Sequence, residues 1–387
     1  MPIFFALLMN SARLAGNCFR SLAPACVNLT NLMKYGIPDE SAKYLMNPSL
    51  FGKNFRSQSK YKSHPKDDEI MSAKIRVAIV GVGNATSALV QGIRCYSDGN
   101  KPGVWHSTVG GHTTSDIELV GAYDIDPVKV GSDVSQAIFA KPNVTPRYVD
   151  VKPLGIPVEA GLLGDEVPSS LNRSIQPIIR KEPIADSLRE MKPDIILNLI
   201  SSGSDSASRK YAEAALSAGC SFVNATPSPI ASDKELAARY SRSGVILVGD
   251  DLMSQFGGTV FHKGILDFIV NRGIKIRKSY QLDVGGGAET LNTLSEDLRA
   301  VKRRVKTKSI AVEVPYEIES VAGTTDYVDF MGNSRTSYFW IEGEHFLGSS
   351  VKFDIYLRTE DGPNGAGILV DLIRSVKAEK DRGGRGP

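Results

Sequence analysis

A doubly wound α/β fold, with a parallel sheet covered by helices on both faces, is what the first two thirds of this 387-residue sequence predict. Three observations carry that expectation. Short runs of branched apolar residues, the first being Ile75–Val80 (IRVAIV), alternate with helical patterns. The first run passes directly into a glycine turn, Gly81-Val82-Gly83, and from there into an apolar helix. A second run, residues 117–123 (IELVGAY), ends on the acids Asp124 and Asp126.

Each element follows in order. Residues 1–38 hold no Asp or Glu but include Arg13, Arg20 and Lys34 among Ser, Leu and Ala, a composition similar to an organelle transit peptide. A misassigned start or a disordered extension fits the same residues, because Met71 stands just before the first strand and residues 56–69 are polar throughout. We therefore expect an extension over residues 1–72, dispensable for activity, with folding beginning near Ala73. In the turn, Gly81 permits the tight bend, and Gly83 lets the backbone approach a pyrophosphate at the helix N-terminus. Thr86 stands where a third glycine is usual. An acid ending the second strand is placed to bind ribose hydroxyls and selects NAD over NADP. Asp124 follows Gly81 by 43 residues, where about 20 is usual, so residues 97–114, rich in Gly, Ser and His, read as an inserted loop. A plain helix cap is the alternative role for Asp124.

Further strands are expected at residues 193–200, 221–223 and 245–248, with a helix opening at Ser201-Ser202-Gly203-Ser204-Asp205. After Asp251 the pattern becomes that of a mostly antiparallel sheet, with strands at 280–284, 312–318, 338–341 and 351–356, and a final helix over 365–377.

Composition narrows the function. Charged residues are 23% of the chain and the net charge is +3, which predicts neither nucleic acid nor a membrane surface as partner, and leaves small molecules and copies of the chain itself. Cys18, Cys26, Cys95 and Cys220 form no CxxC pair, as expected of reduced thiols in the cytoplasm. No apolar run approaches the roughly 18 residues of a membrane span. His106, His112, His262 and His345 are scattered, so the residues name no metal.

The phrases VAIVGVGNATSALVQG, GAYDIDPVKVG, SFVNATP, VGDDLMSQFG, DVGGG and GILVDLIRSVKAEKDRG occur in that order between about Lys74 and Gly384. As a set they resemble the shorter, prokaryotic and archaeal form of myo-inositol-1-phosphate synthase. The resemblance implies a Rossmann domain (73–251) interrupted by an α+β catalytic and oligomerisation domain (252–363), with a C-terminal helix (364–387) returning to the first. It also implies NAD, a homotetramer, and a divalent metal or ammonium ion near Asp251. The cofactor residues it implies are Gly81, Gly83, Asn84, Ala85, Asp124, Ser201, Gly203, Ser204, Asn224, Ala225, Thr226, Asp250 and Ser254.

From charge alone, Lys302 and Lys306, one turn apart, read as a solvated basic face, since like charges at that spacing repel unless something negative sits between them. The resemblance instead places the family's active-site lysines on Lys302, Lys306 and Lys377, and its acids on Asp251, Glu289 and Asp361. It also shows departures: Met253 where the family has a lysine, Gly287 where it has asparagine, Glu289 in place of Asp, and Arg335 in place of a catalytic lysine. Arginine keeps the charge but cannot deliver a proton as lysine can.

The implied chemistry converts D-glucose 6-phosphate to 1D-myo-inositol 3-phosphate: oxidation at C5 by NAD, enolisation toward C6, aldol closure onto C1 and reduction by the same cofactor. Lys302 and Lys306 are expected to bind phosphate and oxyanion, and Lys377 or Lys302 to move the C5 proton. Two alternatives share the NAD site: a dehydrogenase of a phosphorylated substrate, and a non-catalytic NAD-binding regulator suggested by Met253 and Gly287.

Overall fold

The computed structural model describes residues 73–97, 102–164, 176–292 and 296–387. The expected N-terminal extension lies outside these. The chain begins with β1 (Ile75–Val80), α1 (Asn84–Tyr96), β2 (Ile117–Asp124), α2 (Val134–Ala137) and β3 (Val158–Ala160). It continues through α3 (Ile184–Met191), β4 (Ile195–Asn198), α4 (Asp205–Ser217), β5 (Ser221–Asn224), α5 (Lys234–Ser243) and β6 (Leu247–Val248). The six strands pair in parallel in the order β3-β2-β1-β4-β5-β6. The order reverses between β1 and β4, so a crevice opens at their carboxyl ends, where such sheets bind ligands.

Beyond this sheet come α6 (Gly258–Asn271), β7 (Lys275–Gly285), α7 (Ala288–Asn292), α8 (Glu296–Ala311), β8 (Glu319–Tyr327), β9 (Ser334–Glu344), β10 (Ser350–Glu360) and α9 (Asp361–Asp381). The second sheet runs β10-β9-β7-β8, antiparallel except that β8 pairs parallel to β7. Helices α6 and α8 cover one of its faces through Leu266, Ile269 and Ile310, packed on Ile276, Ala322 and Ile341.

Two apolar layers enclose the first sheet. On one side α3, α4 and α5 bury Leu188, Ala212, Leu236 and Tyr240 against Tyr123 and Phe222. On the other, Ala88 and Leu89 of α1 and Leu369, Ile373 and Val376 of α9 pack on Ile75, Ile79 and Leu197. The carboxyl-terminal helix thus closes the first sheet although it follows the second. The unusual distance from Gly81 to Asp124 has its cause here. The inserted loop lies along α9, where the fully buried Arg374 donates to the carbonyls of His106, Ser107 and His112 and pairs with Asp371.

The strand expected at 312–318 is absent; this stretch is turn and extended chain, and β8 starts at Glu319. Its alternation is real but serves as an anchor: Val314 enters the core under α8, and the Tyr316 hydroxyl accepts the Ile276 N–H at 2.8 Å. Pro315 has no N–H to give a ladder. Among the described residues no helix is long and apolar enough to cross a membrane.

Candidate functional site

Strand register brings the expected cofactor residues to one edge. Val80 pairs with Tyr123 and with Asn198, and Asn198 with Asn224, so β1, β2, β4 and β5 end level. Gly81 follows at φ +92°, and its N–H donates to Tyr123 O at 2.8 Å. A Cβ there would lie 2.8 Å from Leu199 O, so only glycine fits between the two strand ends. Thr86, fully buried in place of the third glycine, donates from its hydroxyl to Gly81 O at 2.5 Å and ties the helix to the turn. Gly83 differs: a Cβ built on it meets nothing within 4 Å. It precedes a helix with no side-chain cap, so the first-turn N–H groups, including those of Asn84 and Ala85, have no capping side chain. Open space in front of uncapped donors is a cradle for an anion.

The remaining cofactor-edge residues divide into those that face the crevice and those that build it. The Asp124 carboxylate accepts Val82 N–H at 2.7 Å with one oxygen and the N–H groups of Ile125 and Asp126 with the other. It therefore shapes the glycine turn as well as ending β2. Ser201, Gly203 (φ +87°) and Ser204 form the β4–α4 turn, and α4 too lacks a side-chain cap. Asn84 spends its side-chain oxygen on the N–H groups of Val144 and Thr145. Asn224 is fully buried and bonded to Asn198, Thr226, Ser228 and Asp250. Asp250 is turned the same way, accepting from Ile230, Ala231 and Ser232. These three polar side chains staple loops to the sheet. Ala225 continues β5 through its N–H to Asn198 O. Ser254 lies against Gly257 at the start of α6.

Three cations from two elements, α8 and β9, converge beside this edge. Lys302 on α8 pairs with Glu289 on α7, and Glu289 accepts the Ser202 hydroxyl at 2.6 Å, which links the lysine to the β4–α4 turn. Lys306, one turn on, lies 2.9 Å from Asp283 Oδ2 on β7. The same oxygen lies 3.3 Å from Arg335 on β9, and Arg335 also pairs with Asp361 at 3.2 Å, at the first turn of α9. The negative charge needed between two like-charged lysines is thus supplied in part by the protein, one carboxylate to each.

The fields within the site are consistent with this layout. Burial alone would raise the Asp283 carboxyl, but Lys306 and Arg335 beside it outweigh burial and hold it well below the usual carboxylate range. Burial first, then the Arg335 guanidinium, lowers Lys306 from the ordinary lysine value against the pull of Asp283. Asp251, at φ +55°, is accessible to solvent yet partly enclosed by its neighbours. That partial desolvation raises its carboxyl, with Lys302 opposing and Glu289 assisting. Among the described residues no group of three or more His, Cys, Asp or Glu converges as a metal site would require.

Lys377 is not part of this group. It follows Asp361 by sixteen residues on a continuous helix, so the two ends stand roughly 24 Å apart along the axis. There it pairs with Asp381 at 2.5 Å, beside His112 of the inserted loop, and its expected part in proton transfer has no geometric support. The departures from the family pattern are benign in space: Gly287 has nothing within 4 Å of a built Cβ, and Met253 is exposed. Asp283, the centre of the cation group, was quoted in the DVGGG phrase but given no role by sequence reasoning.

The profile of the family Myo-inositol-1-phosphate synthase matches residues 257–362, from the start of α6 to the start of α9. The inositol-3-phosphate synthase of Mycobacterium tuberculosis is 35% identical over 325 residues, covering 82% of this chain and 88% of that protein. Its counterpart in Corynebacterium glutamicum is 34% identical over 333 residues, with 82% and 91% covered. A solved structure, Ari2, superposes with a TM-score of 0.67 at 33% identity, over 81% of this chain and 89% of that one. Sequence likeness across both sheets, and not only within the profiled segment, establishes that the chain belongs to the myo-inositol-1-phosphate synthase family.

Proposed function

We propose that the protein converts D-glucose 6-phosphate to 1D-myo-inositol 3-phosphate with NAD as a recycled cofactor. The observation that carries this reading is the meeting of Lys302, Lys306 and Arg335 beside the carboxyl edge of the parallel sheet. An ordinary alcohol oxidation calls for no such cation group, whereas a phosphate and an enolate both do.

The cofactor edge fits NAD. Gly83 offers the open approach, the uncapped turn of α1 offers donors to a pyrophosphate, and Asp124 ends β2 where a ribose would lie. When bound, NAD supplies the oxidant for the C5 alcohol and returns the electrons in the closing reduction. The chain's own residues do the rest. Lys302 and Lys306 hold the phosphate and the enolate oxygen. Lys306, with its proton less tightly held than that of a surface lysine, is suited to passing it at the carbon or oxygen being activated. Arg335 contributes a fixed charge without proton exchange. The Ser202–Glu289–Lys302 link keeps the cation group in step with the β4–α4 turn.

The oligomer we propose is the family's homotetramer, and the second sheet supports it. The face of that sheet away from α6 and α8 carries Tyr280 stacked on Trp340, with Leu282, Tyr338 and Tyr356 partly exposed beside them. An aromatic face of this kind is suited to burial against a second copy. Incubating the purified protein with glucose 6-phosphate and NAD tests the activity directly: inositol phosphate is the expected product, and its absence with NAD bound would refute the reading.

A further inference from the structure

The core-facing positions of β7 carry polar side chains. Ser279, Gln281 and Asp283 alternate along its covered face and are all buried, and Ser337 stands opposite Asp283 on β9. The hydrogen bonds among them run in one direction. Ser279 Oγ lies 2.6 Å from His262 Nε2, and His262 Nδ1 lies 3.2 Å from Gln281 Oε1. Gln281 Nε2 then donates to Asp283 Oδ1 at 2.8 Å, joined by the Ser337 hydroxyl at 2.7 Å. Because Gln281 offers its oxygen to the ring, His262 Nδ1 carries the proton and Nε2 accepts from Ser279. Burial lowers His262 to about 4, which keeps the ring neutral and this order intact at working pH. The first turn of α6 adds to the effect: a Cβ on Gly258 would lie 3.3 Å from Asp283 Oδ1 and 2.5 Å from Gln281 Nε2, so the positive end of the helix abuts the carboxylate. Among the described residues, Oδ1 accepts from Gln281 and Ser337, and Oδ2 faces the cations Lys306 and Arg335.

We propose that Asp283 is the positioning residue of the site: a buried carboxylate, oriented by the Ser279–His262–Gln281 string, that fixes Lys306 in place and sets its charge against Arg335. The charged groups around Lys306 are Asp283 on β7, Arg335 on β9, Lys302 on its own helix and Asp251 after β6, with Asp361 acting through Arg335. Of these only Asp283 touches Lys306, so removing its charge leaves the amine beside a guanidinium with no counter-ion in contact. That Lys306 acts on substrate rests on the function proposed above; that Asp283 sets its charge does not.

The test therefore reads the lysine directly. The full chain is acetylated with a small amine reagent across a pH series, and modification of the Lys306 peptide is followed by mass spectrometry, since only the neutral amine reacts. In Asp283→Asn, which keeps the shape and removes the charge, the labelling midpoint is expected to fall by about one pH unit or more. Arg335→Gln makes the opposite prediction: with Asp283 no longer shared, the midpoint rises. Arg335→Gln decides alone if the Asn variant fails to fold. A midpoint unmoved in Arg335→Gln, or unmoved or raised in Asp283→Asn, overturns the proposal. If the midpoints move as expected while the pH profile of turnover does not, Asp283 keeps its role and the assignment of Lys306 to the chemistry fails.

Discussion

The two glycines of the β1–α1 turn stand two residues apart and should fail in opposite ways. Gly81 sits at φ +92° with its N–H bound to Tyr123 O and its carbonyl to the Thr86 hydroxyl. A methyl group there would lie 2.8 Å from Leu199 O and 2.9 Å from Leu199 C. Leu199 cannot retreat cheaply, because its own N–H is bonded to Val80 O at 2.8 Å. Gly81→Ala therefore combines left-handed strain of about 1–3 kcal/mol with displacement of a strand end, and should destabilise the fold by about 2 kcal/mol or more. Gly83 is in the extended region at φ −94° with open space where a Cβ would point. Gly83→Val should cost the fold only about 1 kcal/mol as a poorer helix cap, while weakening NAD at least about tenfold, or about 1.4 kcal/mol. Denaturant unfolding and calorimetric titration with NAD separate the two effects. A Gly83→Val protein that binds NAD as the parent does would mean that the β1–α1 turn is no anion cradle, and a Gly81→Ala protein of parental stability would mean that the turn carries no such strain.

On the proposed assignment of Lys302 and Lys306 to substrate, Lys302→Ala and Lys306→Ala should each lower kcat by about 100-fold or more while leaving NAD affinity within about twofold; steady-state kinetics beside NAD titration decides. Asp124→Ala should weaken NAD and narrow its advantage over NADP, and should also loosen the turn, because Val82 N–H loses its acceptor; paired titrations with both cofactors show whether the two losses occur together. Asp283→Ala should cost about 3 kcal/mol near neutral pH, since it strands the partly buried Lys306 and leaves Arg335 with Asp361 alone. The sign with pH follows from the depressed carboxyl: its stabilisation is complete above the ordinary value of about 3.9 and is lost as pH falls toward the folded value. The gap between parent and variant in urea unfolding should therefore narrow below about pH 4, and a gap that widens there contradicts the assignment.

What could be read from the sequence depended on which local rule governed each residue. Gly81, Gly83 and the runs at β1, β2 and β4 obey chemistry carried in a few adjacent residues, so the parallel sheet and its turn were legible. The 43-residue gap could be read as an insertion, but its contact with α9 joins residues more than 260 apart, through Arg374 to His106 and Ser107. Asp283 was hidden for a different reason. Period-two reasoning places Tyr280, Leu282 and Val284 inward, whereas β7 turns Ser279, Gln281 and Asp283 to its covered face and leaves an aromatic face outside. A polar alternation interleaved with an aromatic one is the sequence signal of these two faces. Lys377 shows the reverse case. Its motif resembled the family's, but the rise of one long helix carries it away from Asp361. Asn84, Asn224 and Asp250 resembled ligand contacts because they end strands and begin turns, and the same position lets each close the loops that shape the crevice.

Redox balance separates a synthase, which recycles its NAD, from a dehydrogenase, which consumes it. Purified protein is supplied with glucose 6-phosphate and with NAD far below the sugar concentration, and inositol phosphate and NADH absorbance are followed together. Many moles of inositol phosphate should form per mole of NAD, with no net growth of NADH. NADH that rises in proportion to the sugar consumed, with conversion halting when NAD is spent, would contradict synthase activity and make the protein a dehydrogenase.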